Sequence, residues 1–285
     1  MSTNILKIEN VTYTYEDGTN ALSDVSIDIE KGQKVAFLGA NGSGKSTLFL
    51  CLNGILKPKS GTIYFNNKPI DYKRKGLLNL RSKVGIVFQD PDNQLFSASV
   101  YEEISFGVMN LGIKAADAKI RVEEAIKVLD ISAFRHKPTQ FLSGGQKKQV
   151  TIADILVMDP DVVILDEPAS ALDPKHTEIV YHQIDKLQSN GITVIISTHD
   201  MNHALEWSDK IIIMNDGKVL AQGKPEEIFL DISMLKQSNL SQPDVIKMYC
   251  SLCEKGILNK NLAVPKSMKE LEQYIEDMLR RCENV

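Results

Sequence analysis

One stretch of nine residues, "GANGSGKST" at 39–47, restricts the possible folds of this chain more than any other feature. It fits the pattern G-x-x-x-x-G-K-[ST], whose defining positions are Gly39, Gly44, Lys45 and Ser46. The apolar run "KVAFLG" leads into it as a buried strand, and apolar residues at helical spacing follow. A strand, a glycine loop and a helix in this order are the context of a phosphate-binding loop. We therefore predict an α/β fold with a nucleotide-phosphate site at the end of this strand.

The residues of this loop are expected to contact the nucleotide in different ways. Its glycines let backbone N–H groups approach the phosphates, and Lys45 reaches the terminal ones. Ser46 is expected to bind Mg²⁺, and Thr47 adds a phosphate contact. Tyr13 and Tyr15 alternate in the first strand, so one of them could stack on an adenine ring, although a structural aromatic remains open. The loop residues predicted to bind nucleotide are Gly39, Ala40, Asn41, Gly42, Ser43, Gly44, Lys45, Ser46 and Thr47.

Two acidic residues follow a second apolar strand, in "VVILDEP" at 162–168. The carboxyl ends of strands in an open α/β sheet are where ligands bind. Asp166 is expected to hold Mg²⁺, while Glu167 is placed to polarise an attacking water. A solvated pair of loop acids is the alternative, but two acids that end so apolar a strand favour a cation or a site.

Single polar residues follow two further strands. His199 comes after "TVIIST" and could contact the terminal phosphate and orient the water. Gln89 comes after "VGIVF", and its amide could touch Mg²⁺ or water. A structural histidine and a solvent-facing amide are the alternatives. His203 stands four residues after His199, a spacing that also allows a zinc site, although no third ligand is apparent.

A second glycine-rich stretch, "LSGGQ" at 142–146, opens a helical pattern. The Ser143 hydroxyl, the bare backbone of two glycines and a helix N-terminus together form an anion-binding site. The chain therefore carries two predicted phosphate cradles about a hundred residues apart. The candidate contacts in this second cradle are Ser143, Gly144, Gly145 and Gln146.

Hydrophobic periodicity predicts the remaining elements. Strands are expected over 6–13, 25–29, "GTIYF", "VGIVF", "DVVILDE" and "ITVIIST", with a hairpin over 210–223. Helices are expected after the phosphate loop through Ile55, over most of 99–158, over 175–189 and in the last 60 or so residues. "GTIYF" and "VGIVF" are expected to form a strand pair. Strand–helix alternation in the second half predicts a parallel sheet.

The composition excludes several classes of protein. With 285 residues, 43% of them hydrophobic and 25% charged, the chain is long enough for one large core and an appendage. Its apolar runs are of strand length, far short of the roughly 18–20 residues that cross a bilayer. A formal net charge of −4 argues against a nucleic-acid partner. Four cysteines at no framework spacing, without an apolar leader segment, predict a reducing, cytoplasmic location.

Taken in order, Gln89, "LSGGQ", "ILDEP", "SALD" and His199 resemble the motifs of an ATP-binding cassette (ABC) ATPase over about 5–230. The resemblance implies an ABC-type phosphate-loop NTPase with a mixed sheet, an N-terminal antiparallel β subdomain and a helical signature subdomain at about 90–158. It also implies that Tyr15 stacks on adenine, that Glu167 is the catalytic carboxylate and that His199 is the switch histidine.

The same resemblance gives the second cradle a purpose. Cassettes of this family pack head to tail in pairs. The stretch 143–146 of one subunit would then close over the ATP held by the loop 39–47 of the other. Hydrolysis would depend on dimerisation, with ATP as part of the interface.

A narrower resemblance comes from "VGIVFQDPDNQLFSASVYEEISFG" at 84–107, which is similar to the ATPases of energy-coupling-factor importers, including cobalt-importer ATPases of the CbiO type. It implies uptake of cobalt, nickel or a vitamin, and a place on the cytoplasmic face of the membrane beneath an integral-membrane coupling protein and a substrate-binding subunit. Residues 1–224 would be the ATPase domain and 225–285 a helical dimerisation extension. Lys148 and Asp154 depart from the family pattern, and we expect neither to touch the core motifs.

Two other functions remain open from the sequence. A non-transport ABC ATPase in DNA repair or translation generally carries two cassettes or long inserted arms, and neither is evident here. A regulatory module that binds ATP without hydrolysing it would be favoured if Glu167 or His199 were absent, and both are present.

Overall fold

A computed structural model of the protein describes residues 4–283 and places them in two β-sheets with helices around them. The strands are β1 (Asn4–Thr14), β2 (Asn20–Glu30), β3 (Lys34–Leu38), β4 (Ser60–Phe65), β5 (Lys68–Pro69), β6 (Val84–Val87), β7 (Val162–Leu165), β8 (Thr193–Ser197), β9 (Lys210–Asn215) and β10 (Lys218–Gly223). The α-helices are α1 (Lys45–Leu52), α2 (Arg74–Lys83), α3 (Val100–Met109), α4 (Ala115–Val128), α5 (Gly144–Leu156), α6 (Pro174–Ser189), α7 (Met201–Trp207), α8 (Pro225–Ile228), α9 (Ile232–Gln237), α10 (Asp244–Glu254) and α11 (Met268–Glu283).

The larger sheet is mixed and has the strand order β10-β9-β3-β8-β7-β6. Its strands from β9 to β6 run parallel, and β10 turns back along β9 as the predicted hairpin. The smaller sheet is antiparallel, with the order β2-β1-β4-β5. The predicted α/β class, with a mixed sheet and an N-terminal antiparallel sheet, is confirmed.

The core lies on both faces of the larger sheet, as the alternation of β3 shows. Val35 and Phe37 pack toward the antiparallel sheet and α1, whereas Ala36 and Leu38 pack toward the helices on the other face. Successive side chains of a strand point to opposite faces, so a strand covered on both sides must be apolar throughout. This explains why the central strands appear in the sequence as continuous apolar runs.

Two local predictions differ from the structure. The stretches "GTIYF" and "VGIVF" are not partners, because β4 pairs with β1 in the antiparallel sheet and β6 pairs with β7 in the mixed one. The helix after the phosphate loop ends at Leu52, and Ile55 lies beyond it with 44% of its surface exposed. The turn begins there because Gly54 has a φ of 73°, a left-handed value that ends a helix at little cost only for glycine.

The helical region and the C-terminal segment both pack onto the same face of the mixed sheet. Helices α3, α4 and α5 fill the predicted helical stretch and contact one another. In the C-terminal segment, Phe229, Ile246 and Leu271 are buried in the hydrophobic cluster that also holds Leu205 of α7. Within residues 4–283, no helix combines the length and the apolar character needed to cross a membrane.

Candidate functional site

The predicted site residues follow four neighbouring parallel strands at one edge of the mixed sheet. β3 leads into Gly39, β6 into Gln89, β7 into Asp166 and β8 into His199. Because parallel strands present their carboxyl ends on the same side, four segments distant in sequence meet at this edge. The phosphate-loop, glutamine, acidic and histidine motifs therefore form a single site.

The phosphate loop wraps tightly between β3 and α1. Gly39 has a φ of 144°, and a Cβ atom there would lie 2.2 Å from the backbone oxygen of Met214. Only glycine fits such a position, because it lacks the Cβ that would collide. On the other side of the loop, the Gly217 N–H donates to the Ser43 carbonyl at 3.0 Å. The β9–β10 hairpin thus supports the loop from behind.

Lys45 is the charged centre of this loop and is only 6% exposed. Its Nζ donates to the carbonyl of Gly39 at 2.7 Å and to that of Ala40 at 3.1 Å. Burial lowers the pKa of Lys45 from its ordinary value, while the negative charges of Glu167 and Asp166 act in the opposite direction. The ammonium group thus lies within the electrostatic field of both strand-end acids.

A cavity of about 370 Å³ lies over the loop. Tyr15, which directly follows β1, lines it, and the Tyr15 hydroxyl is 3.0 Å from Oγ1 of Thr47. The Tyr15 ring meets Tyr13 edge-on with centroids 5.1 Å apart, and Tyr13 packs on the core. Of the two candidate tyrosines, Tyr15 therefore faces the cavity. Loop residues 41–47, Gln89 and Glu167 also line this cavity.

The Glu167 carboxylate contacts two side chains that follow other strands, those of Gln89 and His199. The Gln89 Nε2 donates to Oε2 of Glu167 at 2.8 Å, and the His199 Nε2 is 2.8 Å from Oε1. The carboxylate is only 14% exposed, and its backbone has a φ of 47°. A left-handed φ is strained for a residue other than glycine, and surrounding contacts must hold it there. The structure thus brings Gln89, Glu167 and His199 into direct contact.

Ser197, the last residue of β8, connects the two strand-end acids and was not predicted from the sequence. Its hydroxyl donates to Oδ1 of Asp166 at 2.5 Å and accepts from the Glu167 N–H at 2.8 Å. Ser197 is completely buried, and Asp166 is 8% exposed. A polar residue inside the apolar run "TVIIS" was the available signal, because buried hydroxyls need hydrogen-bond partners.

Replacing Ser197 with alanine is expected to lower both stability and ATP turnover. The Glu167 N–H would lose its acceptor, and an unsatisfied buried donor costs about 1–3 kcal/mol. Thermal unfolding and steady-state ATPase assays measure the two effects. Ser189→Ala is the matched control, because that exposed hydroxyl bonds only to its own helix, at Lys186 O. A Ser197→Ala protein with unchanged melting temperature and turnover would show that the contacts of Ser197 with Asp166 and Glu167 do not support the site.

The second glycine-rich stretch starts α5 with a capping box. The Ser143 hydroxyl accepts from the Gln146 N–H at 3.3 Å, and the Gln146 side chain accepts from the Ser143 N–H at 3.2 Å. A Cβ on Gly145 would lie 2.5 Å from the His176 ring, so glycine is needed for this close approach. Ser143 and Gly144 are exposed. None of residues 143–146 is among the described residues that line the cavity over the phosphate loop.

His203 belongs to an aromatic stack, whereas His199 contacts Glu167. Its ring lies 3.6 Å, centroid to centroid, from that of Tyr181, and 6.0 Å from that of Trp207. Burial lowers the pKa of His203, which favours the neutral ring. No group of three or more candidate zinc ligands is found within residues 4–283. The spacing that allowed a zinc site is instead that of a packed helix face.

Lys148 contradicts the expectation that it lies clear of the core motifs. Its Nζ donates to the backbone oxygens of Phe88 and Gln89, at 3.0 and 2.8 Å. The sequence gives little signal for this contact, because about sixty residues separate the partners. Lys148 therefore supports a residue of the predicted site.

The donors at this edge fit a phosphate group with a hard divalent cation. The loop has no room for a side chain at Gly39 or Gly44, and the hydroxyl of Ser46 and the amide of Gln89 line the cavity over it. The carboxylate of Asp166 is near enough to act on the charge of Lys45. Oxygen donors of these kinds suit Mg²⁺. Fold and site together define a phosphate-loop ATPase of the α/β class.

Comparison with known proteins identifies the family within this class. Residues 22–170 match the family model for the ABC transporter. Energy-coupling factor transporter ATP-binding protein EcfA2 of Clostridium perfringens is 49% identical over 242 residues, which are 85% of each chain. EcfA of Methanocaldococcus jannaschii is 42% identical over 261 residues, which are 92% of this chain and 91% of the relative.

Solved structures agree with these relatives. CbiO1 from Clostridium perfringens, described as part of the ABC transporter complex CbiONQ, has a TM-score of 0.75 and 47% identity, covering 88% of this chain and 99% of its own. A dimeric ATP-binding cassette in a post-hydrolysis state with ADP and Pi has a TM-score of 0.70 and 31% identity, covering 77% of this chain and 98% of its own. The chain belongs to the ABC transporter ATP-binding family and is an ABC-type ATPase.

Proposed function

We propose that this chain is the ATP-binding and ATP-hydrolysing subunit of an energy-coupling-factor importer, which couples ATP hydrolysis to uptake of a transition-metal ion such as cobalt or nickel, or of a vitamin. The relatives named EcfA2 and EcfA and the likeness to CbiO1 support the transporter class. The observation that carries the hydrolytic function is the carboxylate of Glu167, bound at 2.8 Å on each side by Gln89 and His199. A purely regulatory module would not need a carboxylate so oriented.

The reacting groups are assigned from their positions at the sheet edge. The backbone of the loop 39–47 cradles the phosphates, and the Lys45 ammonium neutralises their charge. Glu167 accepts a proton from the attacking water, while Gln89 and His199 fix the direction of its carboxylate. Tyr15 stacks on the adenine. Residues 143–146 of a second subunit close over the same ATP.

Ser46, Asp166 and Gln89 would hold the Mg²⁺, which neutralises charge on the phosphates when bound. The Ser197 hydroxyl orients Asp166 for that task through the 2.5 Å hydrogen bond to Oδ1. Outer-shell bonds of this kind fix ligand orientation and contribute to metal affinity. Asp166 and Glu167 thus divide the work between cation binding and proton transfer.

An exposed aromatic patch, formed by Phe96 and Phe106, is the proposed docking surface for the integral-membrane coupling protein. Phe96 is 66% exposed and Phe106 is 51% exposed, and their rings meet edge-on at 4.8 Å. Large exposed aromatics of this kind are typical of interface anchors. Their support is rigid, because Glu103 accepts from the backbone N–H groups of Phe96 and Ser97. The loop that carries Phe96 begins at Gln89, so a partner bound here is linked to the ATP site.

The test is co-purification of the chain with its membrane subunits in mild detergent, followed by identification of the bound proteins. The double variant Phe96→Ser/Phe106→Ser is expected to lose at least about 90% of the bound membrane protein while its own ATP binding is retained, because anchor residues dominate interface energy. Leu78→Ser is the matched control, since Leu78 is 59% exposed and lies on α2, which carries neither aromatic residue of the patch. Unchanged co-purification of the double variant would exclude the patch as the docking surface.

The same purification separates the alternatives. A substrate-binding membrane subunit in the complex identifies the transported ion or vitamin class. Recovery of DNA-repair or translation proteins without any membrane protein would favour a non-transport ABC ATPase. ATP binding without turnover by the purified complex would favour a regulatory module.

The proposal includes a division of labour along the chain. Residues 1–224 act as the ATPase domain, with the helical subdomain at about 90–158, and 225–285 act as an extension that pairs two ATPase subunits. In support, α11 carries one apolar stripe, and Met268 and Leu279 on it are about half exposed. The dimer would be peripheral, on the cytoplasmic face of the membrane, without a nucleic-acid partner.

A further inference from the structure

Lys148 lies buried in the protein interior, where lysine is rarely found. It is only 2% exposed and lies in the second turn of α5. This helix begins within the second glycine-rich stretch, residues 143–146, which we call the signature stretch. Both hydrogen-bond acceptors of its Nζ are backbone carbonyls, those of Phe88 at 3.0 Å and Gln89 at 2.8 Å. A buried ammonium that donates hydrogen bonds to two consecutive carbonyls fixes the backbone at that point.

Keeping this lysine buried is costly, which indicates that it does more than fill space. Burial lowers the pKa of Lys148 to about 8, against the opposing effect of the negative charges of Asp166, Asp90 and Glu167. An apolar side chain of similar length would pack without that cost. An apolar residue could not donate hydrogen bonds to the two carbonyls. These hydrogen bonds are therefore what lysine provides at this position.

Those carbonyls lie where β6 ends and the loop to the ATP site begins. β6 ends at Val87, and the Gln89 side chain two residues later donates to Glu167 at 2.8 Å. A second link from α5 reaches the same place through Gln94. Its Oε1 accepts from the Phe88 N–H at 3.3 Å and its Nε2 donates to Thr151 O at 3.2 Å. Helix α5 thus holds both the N–H and the carbonyl of Phe88.

We infer that Lys148 is a positioning residue for ATP hydrolysis, which holds the Gln89 backbone so that the Gln89 amide orients the Glu167 carboxylate. This inference rests on the proposed function, because it assigns Lys148 a part in the same reaction. Since Ser143 caps the N-terminus of α5, this helix also joins the signature stretch to Gln89. Neither the phosphate loop nor Tyr15 is in contact with Lys148 through the hydrogen bonds described. Its loss should therefore change turnover more than nucleotide affinity.

Replacing Lys148 with methionine in the full-length chain is expected to lower kcat about tenfold to a hundredfold, because small displacements of a positioned group have effects of this size. The KM and the dissociation constant for ATP should stay within about threefold. Lys148→Arg keeps a cation with donors and should recover most of the kcat. Lys147→Met is the matched control, because Lys147 pairs with Asp92 on the same loop but not with Gln89. It should change kcat by less than about threefold, as expected for a rim ion pair.

A double-mutant cycle with Gln89→Ala separates positioning from general damage. If Lys148 acts through Gln89, Lys148→Met should have less than about threefold effect on kcat once Gln89 is alanine. A full additional loss in that background would overturn the inference, as would a lone Lys148→Met with kcat within twofold of the parent. If Lys148→Met does not fold, as judged by circular dichroism, Lys148→Gln replaces it under the same criteria.

A second readout does not depend on hydrolysis. Hydrogen–deuterium exchange of peptides that cover residues 86–90 should be faster in Lys148→Met than in the parent. It should be unchanged in Lys147→Met, because the ion pair of Lys147 with Asp92 lies outside that stretch. Equal exchange in all three proteins would show that Lys148 does not hold this loop. A parent chain that binds ATP but never hydrolyses it would refute the proposed function instead, and the exchange data would still decide what Lys148 holds.

Discussion

Replacing Glu167 with glutamine is expected to lower ATP turnover by about 10²–10⁴-fold, the usual contribution of a general base. The amide has the same shape but cannot take a proton from water. ATP affinity should be retained, because the proposed phosphate contacts come from the loop 39–47, which includes Lys45. Since ATP is proposed to form part of the dimer interface and only hydrolysis removes it, the variant should accumulate as an ATP-bound dimer.

Single-turnover ATPase assays, equilibrium ATP binding and size-exclusion chromatography with light scattering measure these three effects. Glu206→Gln serves as the control, because Glu206 is exposed on α7 and belongs to no motif. Parental turnover in Glu167→Gln would remove Glu167 from the role of base. A loss of ATP binding equal to the loss of turnover would assign it to nucleotide binding instead.

The orientation of the Glu167 carboxylate depends on the residues around it. Its backbone has a φ of 47°, and its N–H is held by Ser197, so the side chain is fixed at both ends. Gln89 and His199 come from two other strands. Movement of either strand end would misdirect the carboxylate. If Glu167 is the base, catalysis is open to control at a distance, through the loop that contains Gln89 or through the segment that carries His199.

The strand-end groups could be predicted from the sequence because each follows a buried apolar run. Parallel strands bring their ends to one edge, so the sequence predicts that Lys45, Gln89, Asp166, Glu167 and His199 lie together. The parallel strands and the hairpin follow from the pattern of the sequence, whereas the mixed sheet is implied by the family resemblance. These features depend on local patterns and on one topological rule.

The supporting contacts could not be predicted in the same way. Ser197 meets Asp166 across thirty-one positions, and Lys148 meets Gln89 across fifty-nine. Such contacts depend on which strands and helices are neighbours, and periodicity does not determine neighbours. The same reason explains the wrong pairing of "GTIYF" with "VGIVF", since both are good strands in different sheets. Motifs identify the groups that face a ligand, whereas the residues behind them emerge only from the fold.

The largest expected gain of activity comes from mixing two inactive variants. Ser143→Arg places a long charged side chain at the exposed start of α5, where the partner's terminal phosphate is proposed to bind. Its own phosphate loop stays intact. Lys45→Ala does the reverse, because it removes the ammonium at Gly39 and Ala40 and leaves the signature stretch unchanged. Each homodimer should be nearly inactive, since both of its composite sites carry a lesion.

In a mixed dimer, the loop of the Ser143 variant meets the signature stretch of the Lys45 variant, and that site contains no lesion. The other site carries both. With random exchange of equal amounts, half of the dimers are mixed and each has one good site. The expected recovery is about a quarter of the parental activity if the sites work independently in a two-fold symmetric pair. Activity measured against mixing ratio, with dimer composition determined by native mass spectrometry, gives the test.

Mixed dimers that form but stay inactive leave two explanations, obligate coupling of the sites or a wrong assignment of the signature stretch. Cysteines at Ser143 and Asn41 distinguish them, because both positions are exposed and Asn41 lies in the phosphate loop. If the composite site exists, ATP should promote a disulfide between the two introduced cysteines of different subunits, and neither variant with only one of them should give that product. Within one chain, Asn41 lines the cavity over the phosphate loop and Ser143 does not. A disulfide within one subunit would therefore contradict a site shared between subunits. A strong ATP-dependent link in an inactive mixed dimer would instead establish that both sites must be intact for either to turn over.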